Sequence, residues 1–161
     1  MSAGVATGIG WDSHRLVAGR PLVLGGVTIP HERGLAGHSD ADVLAHAVID
    51  ALLGAAARGD IGQHFPDTDE RWRDADSMAM LRAVVALVAG DGFAVAHVDA
   101  TVVMERPKLA PHRDAIRAAL AGALGVDAAR VNVKASTGEG MGFVGRGEGV
   151  AALAVATLTR G

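Results

Sequence analysis

The 161-residue chain has no cysteine, only 3% aromatic residues and only two lysines, Lys108 and Lys134. Without cysteine there are no disulfides and no thiolate ligands. A bound metal must then be held by His, Asp or Glu, which points to a catalytic or hard-ligand site rather than a structural zinc. There is no basic run and no basic patch interleaved with aromatics, and the formal net charge is −3, so nucleic-acid binding is not expected. The most apolar stretches, residues 83–89 and 150–158, fall far short of the roughly 20 residues a membrane-spanning helix needs. The opening MSAGVATGIG lacks the basic start and apolar core of a secretory signal. A cytoplasmic protein is expected.

What the chain does have is aliphatic. Half of its residues are hydrophobic, so the core must be built from Ala, Val and Leu. One domain over residues 1–161 is expected, large enough to bury roughly 70% of its extended surface. Residues 5–11 read as a strand. Residues 22–24 and 27–29 read as a hairpin closed by Gly25-Gly26, since glycine supplies the positive φ of a two-residue turn. Ser39 is placed as the N-cap of a helix over 40–57, with Val43, Leu44, Ala47, Val48, Ala51 and Leu52 on its apolar face. Residues 58–73 form a polar loop. Further helices are expected over 76–89 and 111–124, the latter stopped by Gly125, and strands over 93–103, 131–135 and 150–158. The pattern predicts an α+β (α/β layered) domain with a mixed, mostly four-stranded sheet packed on helices in a ferredoxin-like arrangement.

Two short runs carry the chemistry. Asp12-Ser13-His14 follows the first strand, and alternation puts Asp12 and His14 on one face. His38-Ser39-Asp40-Ala41-Asp42 leads into the helix that holds His46. Two imidazoles and one carboxylate make three ligands with an open position, as in a catalytic zinc or non-haem iron site. A lone histidine is more often a hydrogen-bonded core or surface residue; the coincidence of D-x-H with a helical His is what raises the metal reading. His46 aligns with Asp42 and Asp50 at four-residue spacing, which suggests support from those carboxylates. His38 either flanks the helix or binds an anion. Asp60, Asp67 and Asp69 either form a solvated acidic loop or accept hydrogen bonds from polyol hydroxyls. Ser136-Thr137-Gly138-Glu139 is either a plain turn or a phosphate cradle, with Glu139 suited to a hard divalent cation. No P-loop and no dinucleotide fingerprint is present. Arg146 and Glu148 could simply pair with each other.

In order and spacing, WDSHR, GLAGHSDADVLAHAVIDALLGAAARGDIGQHFPDTD, RPKLAPH, VNVKAST and GFVGRGEG resemble the 2-C-methyl-D-erythritol 2,4-cyclodiphosphate synthase family, over residues 8–158. The resemblance implies a CMP-releasing, cyclising phosphorus-oxygen lyase of the non-mevalonate isoprenoid pathway. The 2-phosphate of 4-diphosphocytidyl-2-C-methyl-D-erythritol 2-phosphate would attack the β-phosphorus, closing the cyclic diphosphate and expelling CMP. It implies a homotrimer with active sites between subunits. Zn²⁺ would sit on Asp12, His14 and His46, and a second ion, Mg²⁺ or Mn²⁺, on Glu139. His38 and Thr137 match transition-state-stabilising positions.

The remaining matches are to substrate contacts. Ser39, Phe65, Pro66, Asp67, Thr68 and Asp69 match the methylerythritol side, and Asp60, Ile61 and Gly62 lie near the ribose. Met104, Glu105, Arg106, Pro107, Lys108, Leu109 and Ala110 match the cytidine pocket. Asp12, His14, His38, Ser136, Thr137, Gly138 and Glu139 complete the matched substrate-binding positions. Phe143, Arg146 and Glu148 match an axial pocket that holds an isoprenoid diphosphate in some members. The chain departs from the family at Gly138, where many members have Thr or Asn, and at Gly140, where others have Lys. A fused cytidylyltransferase domain, found in some members, is not expected. Two alternatives remain open: a mononuclear Fe(II) oxygenase, and a non-catalytic trimeric module binding isoprenoid diphosphates through Phe143 and Arg146.

Overall fold

The longest strand carries two of the candidate ligands. In the computed structural model, which describes residues 4–161, strand β1 (Gly4–Ala18) continues well past the expected 5–11. The polar residues Asp12 to Arg15 stay in the ladder because each is paired with β7, from Gly4↔Arg160 through to Arg15↔Gly149. Residues 1–3, which begin the segment read for a signal peptide, lie outside the described residues. The chain continues through β2 (Leu22–Leu24), β3 (Val27–Ile29), β4 (Arg33–Leu35), α1 (Val43–Ala55), α2 (Ile61–His64) and α3 (Ser77–Gly90). It then forms β5 (Phe93–Val103), α4 (Arg113–Leu124), β6 (Val131–Ser136), α5 (Gly142–Gly145) and β7 (Gly149–Arg160).

The main sheet has the order β4-β1-β7-β5-β6. Every pairing in it is antiparallel except β5 with β6. Four long strands match the expected sheet, and the fifth is the three-residue edge strand β4, too short to leave a sequence pattern. Along the chain the long strands and main helices run β-α-α-β-α-β-β, which differs from a ferredoxin-like β-α-β-β-α-β order. The Gly25-Gly26 hairpin forms as expected, with φ of +57° and +78°.

Helix α1 is the centre of the core, and of its residues only Asp50 and Gly54 escape full burial. Two corrections apply to its start. The helix begins at Val43 rather than residue 40, and its N-cap is Asp42, not Ser39; the Asp42 carboxylate accepts from the Ala45 N–H at 3.0 Å. The same carboxylate accepts from the N–H groups of Gly25 and Gly26 at 2.9 and 2.8 Å, so it ties the hairpin to the helix start. Complete burial pushes its pKa up to about 6, against the pull of the three N–H donors. That full commitment leaves the Asp42 carboxylate no bond to the His46 ring, and the Asp50 carboxylate accepts from the Ile61 N–H at 3.1 Å. Neither carboxylate supports His46 as the four-residue spacing suggested.

Helices α1, α3 and α4 pack together, α1 lying on β1 and β7 and α4 beside β6, which leaves the other face of the sheet without a covering helix among the described residues. On that face Val5, Ile9, Trp11 and Val155 are 68, 65, 54 and 44% exposed. No helix among the described residues is long and apolar enough to cross a membrane.

Candidate metal centre and substrate clefts

β1 delivers Asp12 and His14 on its inward face, and α1 delivers His46 from its first turn. Asp12 Oδ2 lies 2.8 Å from His14 Nε2 and 3.1 Å from His46 Nδ1, and the two ring nitrogens are 3.4 Å apart. Each imidazole turns its other nitrogen to a structural partner. His14 Nδ1 donates to the Ala36 carbonyl at 2.9 Å, which leaves its Nε2 lone pair facing the cluster. His46 Nε2 lies 2.8 Å from Ser77 Oγ and 3.2 Å from Ser39 Oγ. Three electron-rich atoms thus converge, which is favourable only around a cation. A tetrahedral zinc with bonds of about 2.0–2.1 Å requires ligand–ligand edges of about 3.4 Å, close to those present. The donor set therefore fits one metal ion, with the fourth position open to the cleft.

In the metal-free protein a proton takes that role. Burial opposes charge on both Asp12 and His14, but their mutual hydrogen bond and attraction outweigh it. The Asp12 carboxyl is held down to about 2, and the His14 imidazole is raised above 6.5.

The cluster opens into a cleft of about 500 Å³ that gathers many of the other expected residues. His38, Ser39, Ile61, Gly62, Phe65, Pro66 and Asp67 line it. His38 Nε2 donates to the Asp69 backbone carbonyl at 2.8 Å, which aims the ring and ties the HSD segment to the 61–72 loop. Phe65 meets Trp72 edge to face, with ring centroids 4.8 Å apart, so two of the few aromatics form one wall. Other expected residues take structural roles. Asp60 caps α2 at the Gln63 N–H, Asp69 caps the next turn and grips Arg71, and Thr68 is exposed outside the cleft.

A second cleft, of about 420 Å³, shares no residue with the first. Met104, Glu105, Pro107, Lys108, Leu109 and Ala110 line it together with Ser136, Thr137 and Glu139. Arg113, which the sequence did not single out, joins them there. Glu105 also accepts a hydrogen bond from the Gly138 N–H. At Gly138 a Cβ would lie 2.8 Å from the Gly145 nitrogen and 2.9 Å from the Met141 carbonyl oxygen. The missing side chain is what lets the 137–145 loop close on itself. Gly140 has φ +74°, a conformation a lysine would hold only under strain. Arg106 faces away from this cleft, into a cavity it shares with Arg33 and Arg146. Phe143 lines a small cavity beside Arg15 and Glu148, and Glu148 pairs with both Arg15 and Arg146 at 3.2 Å. The single chain thus groups most of the expected residues around two clefts that share no residue and two smaller cavities beside them.

Sequence reasoning missed Ser77 and Asp40 as neighbours of the metal cluster. Asp40 stood in the HSD run, but Ser77, 31 residues beyond His46, offered no local signal.

An α+β domain carrying a two-histidine, one-carboxylate triad suited to a single metal ion is the class that fold and site define. The family model described as YgbB matches residues 5–159, and the chain belongs to that family. A Salinibacter ruber relative named 2-C-methyl-D-erythritol 2,4-cyclodiphosphate synthase is 65% identical over 151 residues, covering 94% of this chain and 96% of the relative. A solved structure of a synthase of that name in a CDP-bound form superimposes with a TM-score of 0.87 at 41% identity, covering 94% of this chain and 99% of that one. The bifunctional IspDF of Campylobacter jejuni superimposes with a TM-score of 0.96 at 43% identity; it covers 99% of this chain, which spans 43% of its length.

Proposed function

We propose that residues 1–161 form a single domain that converts 4-diphosphocytidyl-2-C-methyl-D-erythritol 2-phosphate into 2-C-methyl-D-erythritol 2,4-cyclodiphosphate and CMP, as a metal-dependent phosphorus-oxygen lyase. The observation that carries this reading is the Asp12–His14–His46 triad opening into a cleft, in a chain 65% identical to a relative named for that synthase. The nucleophile is already an anionic phosphate, so the enzyme needs no strong base. It must hold two phosphoryl groups in line and offset their charge. When bound, Zn²⁺ on the triad and Mg²⁺ or Mn²⁺ at Glu139 supply Lewis-acid stabilisation of the phosphoryl oxygens. The chain itself supplies orientation. In the first cleft the His38 ring stabilises the transition state, the Ser39 hydroxyl serves the methylerythritol end, and Asp67 offers an exposed carboxylate to the polyol hydroxyls. The segment 104–110 supplies the cytidine pocket, and the Thr137 hydroxyl flanks the phosphates.

The separation of the two clefts supports a homotrimer. One substrate long enough to touch both sets of residues is served when the first cleft of one subunit meets the second cleft of the next. The bare apolar sheet face, with Val5, Ile9, Trp11 and Val155 exposed, supplies a surface for that assembly. The cavities around Phe143 and Arg146 are then candidates for an isoprenoid diphosphate on the axis.

The test is ³¹P NMR of the protein with substrate, Zn²⁺ and Mg²⁺. CMP with a coupled pair of cyclic-diphosphate resonances is expected; CMP with a linear product would mean hydrolysis and end the cyclase reading. Glu139→Gln is expected to weaken the dependence on Mg²⁺ or Mn²⁺, and full metal-dependent activity in that variant would remove the second-ion assignment.

The pKa directions set a pH dependence. The raised His14 contributes stability to the metal-free protein below about 6.5 that is lost as pH rises through its folded value. The depressed Asp12 contributes stability above about 3.8 that is lost as pH falls towards about 2. Their ion pair therefore stabilises the metal-free protein between these limits. Zinc must displace the His14 proton, so its apparent affinity should fall about tenfold per pH unit once pH drops below the raised His14 value. Chelator competition across pH 5–8 reads this out, and a flat profile would refute proton displacement.

A further inference from the structure

Resting on the zinc reading above, we infer that Asp40 and Ser77 are positioning residues that lock His46 in the tautomer protonated at Nε2, so that the Nδ1 lone pair faces the metal point. The argument is a count of donors. The Asp40 carboxylate only accepts, and it takes the Ser77 N–H at 2.9 Å, the Asp42 N–H at 3.2 Å and the Ser77 hydroxyl. Ser77 has a single O–H, and that proton is spent on Asp40. Toward His46 Nε2, 2.8 Å away, Ser77 Oγ can then act only as an acceptor, so Nε2 must carry the ring proton. Ser39 Oγ, at 3.2 Å from Nε2, also accepts the Ala41 N–H; sharing the Nε2 proton leaves its own O–H free for the cleft.

This arrangement works against the local preference of the metal-free site. His46 Nδ1 lies 3.1 Å from Asp12 Oδ2. Left to itself, the ring would place its proton on Nδ1 and donate it to that carboxylate, blocking the ligand position. The Asp40–Ser77 relay, buried at Ser77, removes that option before a metal arrives. Partners of this kind are typically worth 10–100-fold in metal affinity.

Asp40→Asn is the discriminating variant because it keeps the shape and reverses the hydrogen-bond direction. The Ser77 N–H, at 2.9 Å, holds the amide oxygen in preference to the more distant Asp42 N–H at 3.2 Å, which turns the NH₂ group towards Ser77 Oγ at the cost of the Asp42 bond. The serine then donates its own proton to His46 Nε2, and the ring proton moves to Nδ1. Long-range ¹H–¹⁵N correlation of the His46 ring, in metal-free protein above the histidine titration range, reads the tautomer directly. Zinc competition with a chromophoric chelator reads the affinity. We expect Nε2–H in the wild type, a shift to Nδ1–H in Asp40→Asn and Ser77→Ala, and a 10–100-fold loss of zinc affinity in both. An Nδ1–H wild type, or variants that keep both tautomer and affinity, would overturn the proposal. The wild-type spectrum decides the tautomer even if a variant does not fold. A wild type with Nε2–H that binds no zinc would instead sink the metal reading and leave the relay standing.

Discussion

His46→Ala is expected to cut CMP release by roughly 10³-fold or more, with the fold retained. A Lewis acid at a phosphoryl group contributes several kcal/mol of charge stabilisation, and each 1.36 kcal/mol is a tenfold change in rate. Two ligands, Asp12 and His14, remain in the variant, but a three-ligand site with an open position becomes a two-ligand site. The structural cost should be smaller than the catalytic one. Truncation leaves a small space at the start of α1, yet Ser77 keeps its bond to Asp40 and Ser39 keeps the Ala41 N–H. Zinc content by elemental analysis, thermal melting and the ³¹P assay separate the possibilities. Loss of zinc and turnover with an intact melt is the expected outcome. Full turnover in protein shown to lack zinc would mean that the triad is not the reacting centre. A non-catalytic binding module would show no turnover in the wild type either.

Much of this site was legible in the chain because it rests on local periodicity. Strand alternation put Asp12 and His14 on one face, and the hairpin, α4 with its stop at Gly125, and β5 follow from spacing and glycine placement. What was not legible depends on groups distant in sequence. Ser39 has the right chemistry for an N-cap, but Asp42 holds that place because it can bind the Gly25-Gly26 turn at the same time. The carboxylate behind His46 Nε2, that of Asp40, acts through Ser77 and not along the helix, whereas four-residue spacing pointed to Asp42 and Asp50. Strand β4 exists because the Leu16–Ala18 end of β1 needs a partner, a requirement its three residues do not announce. The division of the expected substrate residues between two clefts is likewise a property of the folded chain.

Gly10→Ala is expected to destabilise the protein by about 3 kcal/mol or more and to take the metal site with it. Gly10 faces α1 from the centre of β1, and a Cβ there would lie 1.9 Å from the Ala47 carbonyl oxygen and 2.8 Å from the Ala51 nitrogen. Two residues earlier, a Cβ on Gly8 would lie 2.1 Å from the Ala51 oxygen. These obstacles are helix backbone, which cannot rotate aside as a flexible side chain would. Overpacking a core typically costs about 1–3 kcal/mol, and a clash with backbone belongs at the upper end or beyond. Relief requires α1 to lift from β1 by about 1 Å at the turn that carries His46. Asp12 and His14 stay with the strand while His46 moves with the helix. A displacement of that size is enough to cost about 10²-fold in a site built on geometry. Gly122→Ala supplies the contrast, since its Cβ would meet nothing within 4 Å and alanine in a helix is favoured over glycine by up to about 1 kcal/mol. Denaturant unfolding and zinc affinity should therefore move together at Gly10 and stay at or above wild type at Gly122. A Gly10→Ala protein with wild-type stability and zinc affinity would mean that the bare strand backbone does not set the distance between the two halves of the triad.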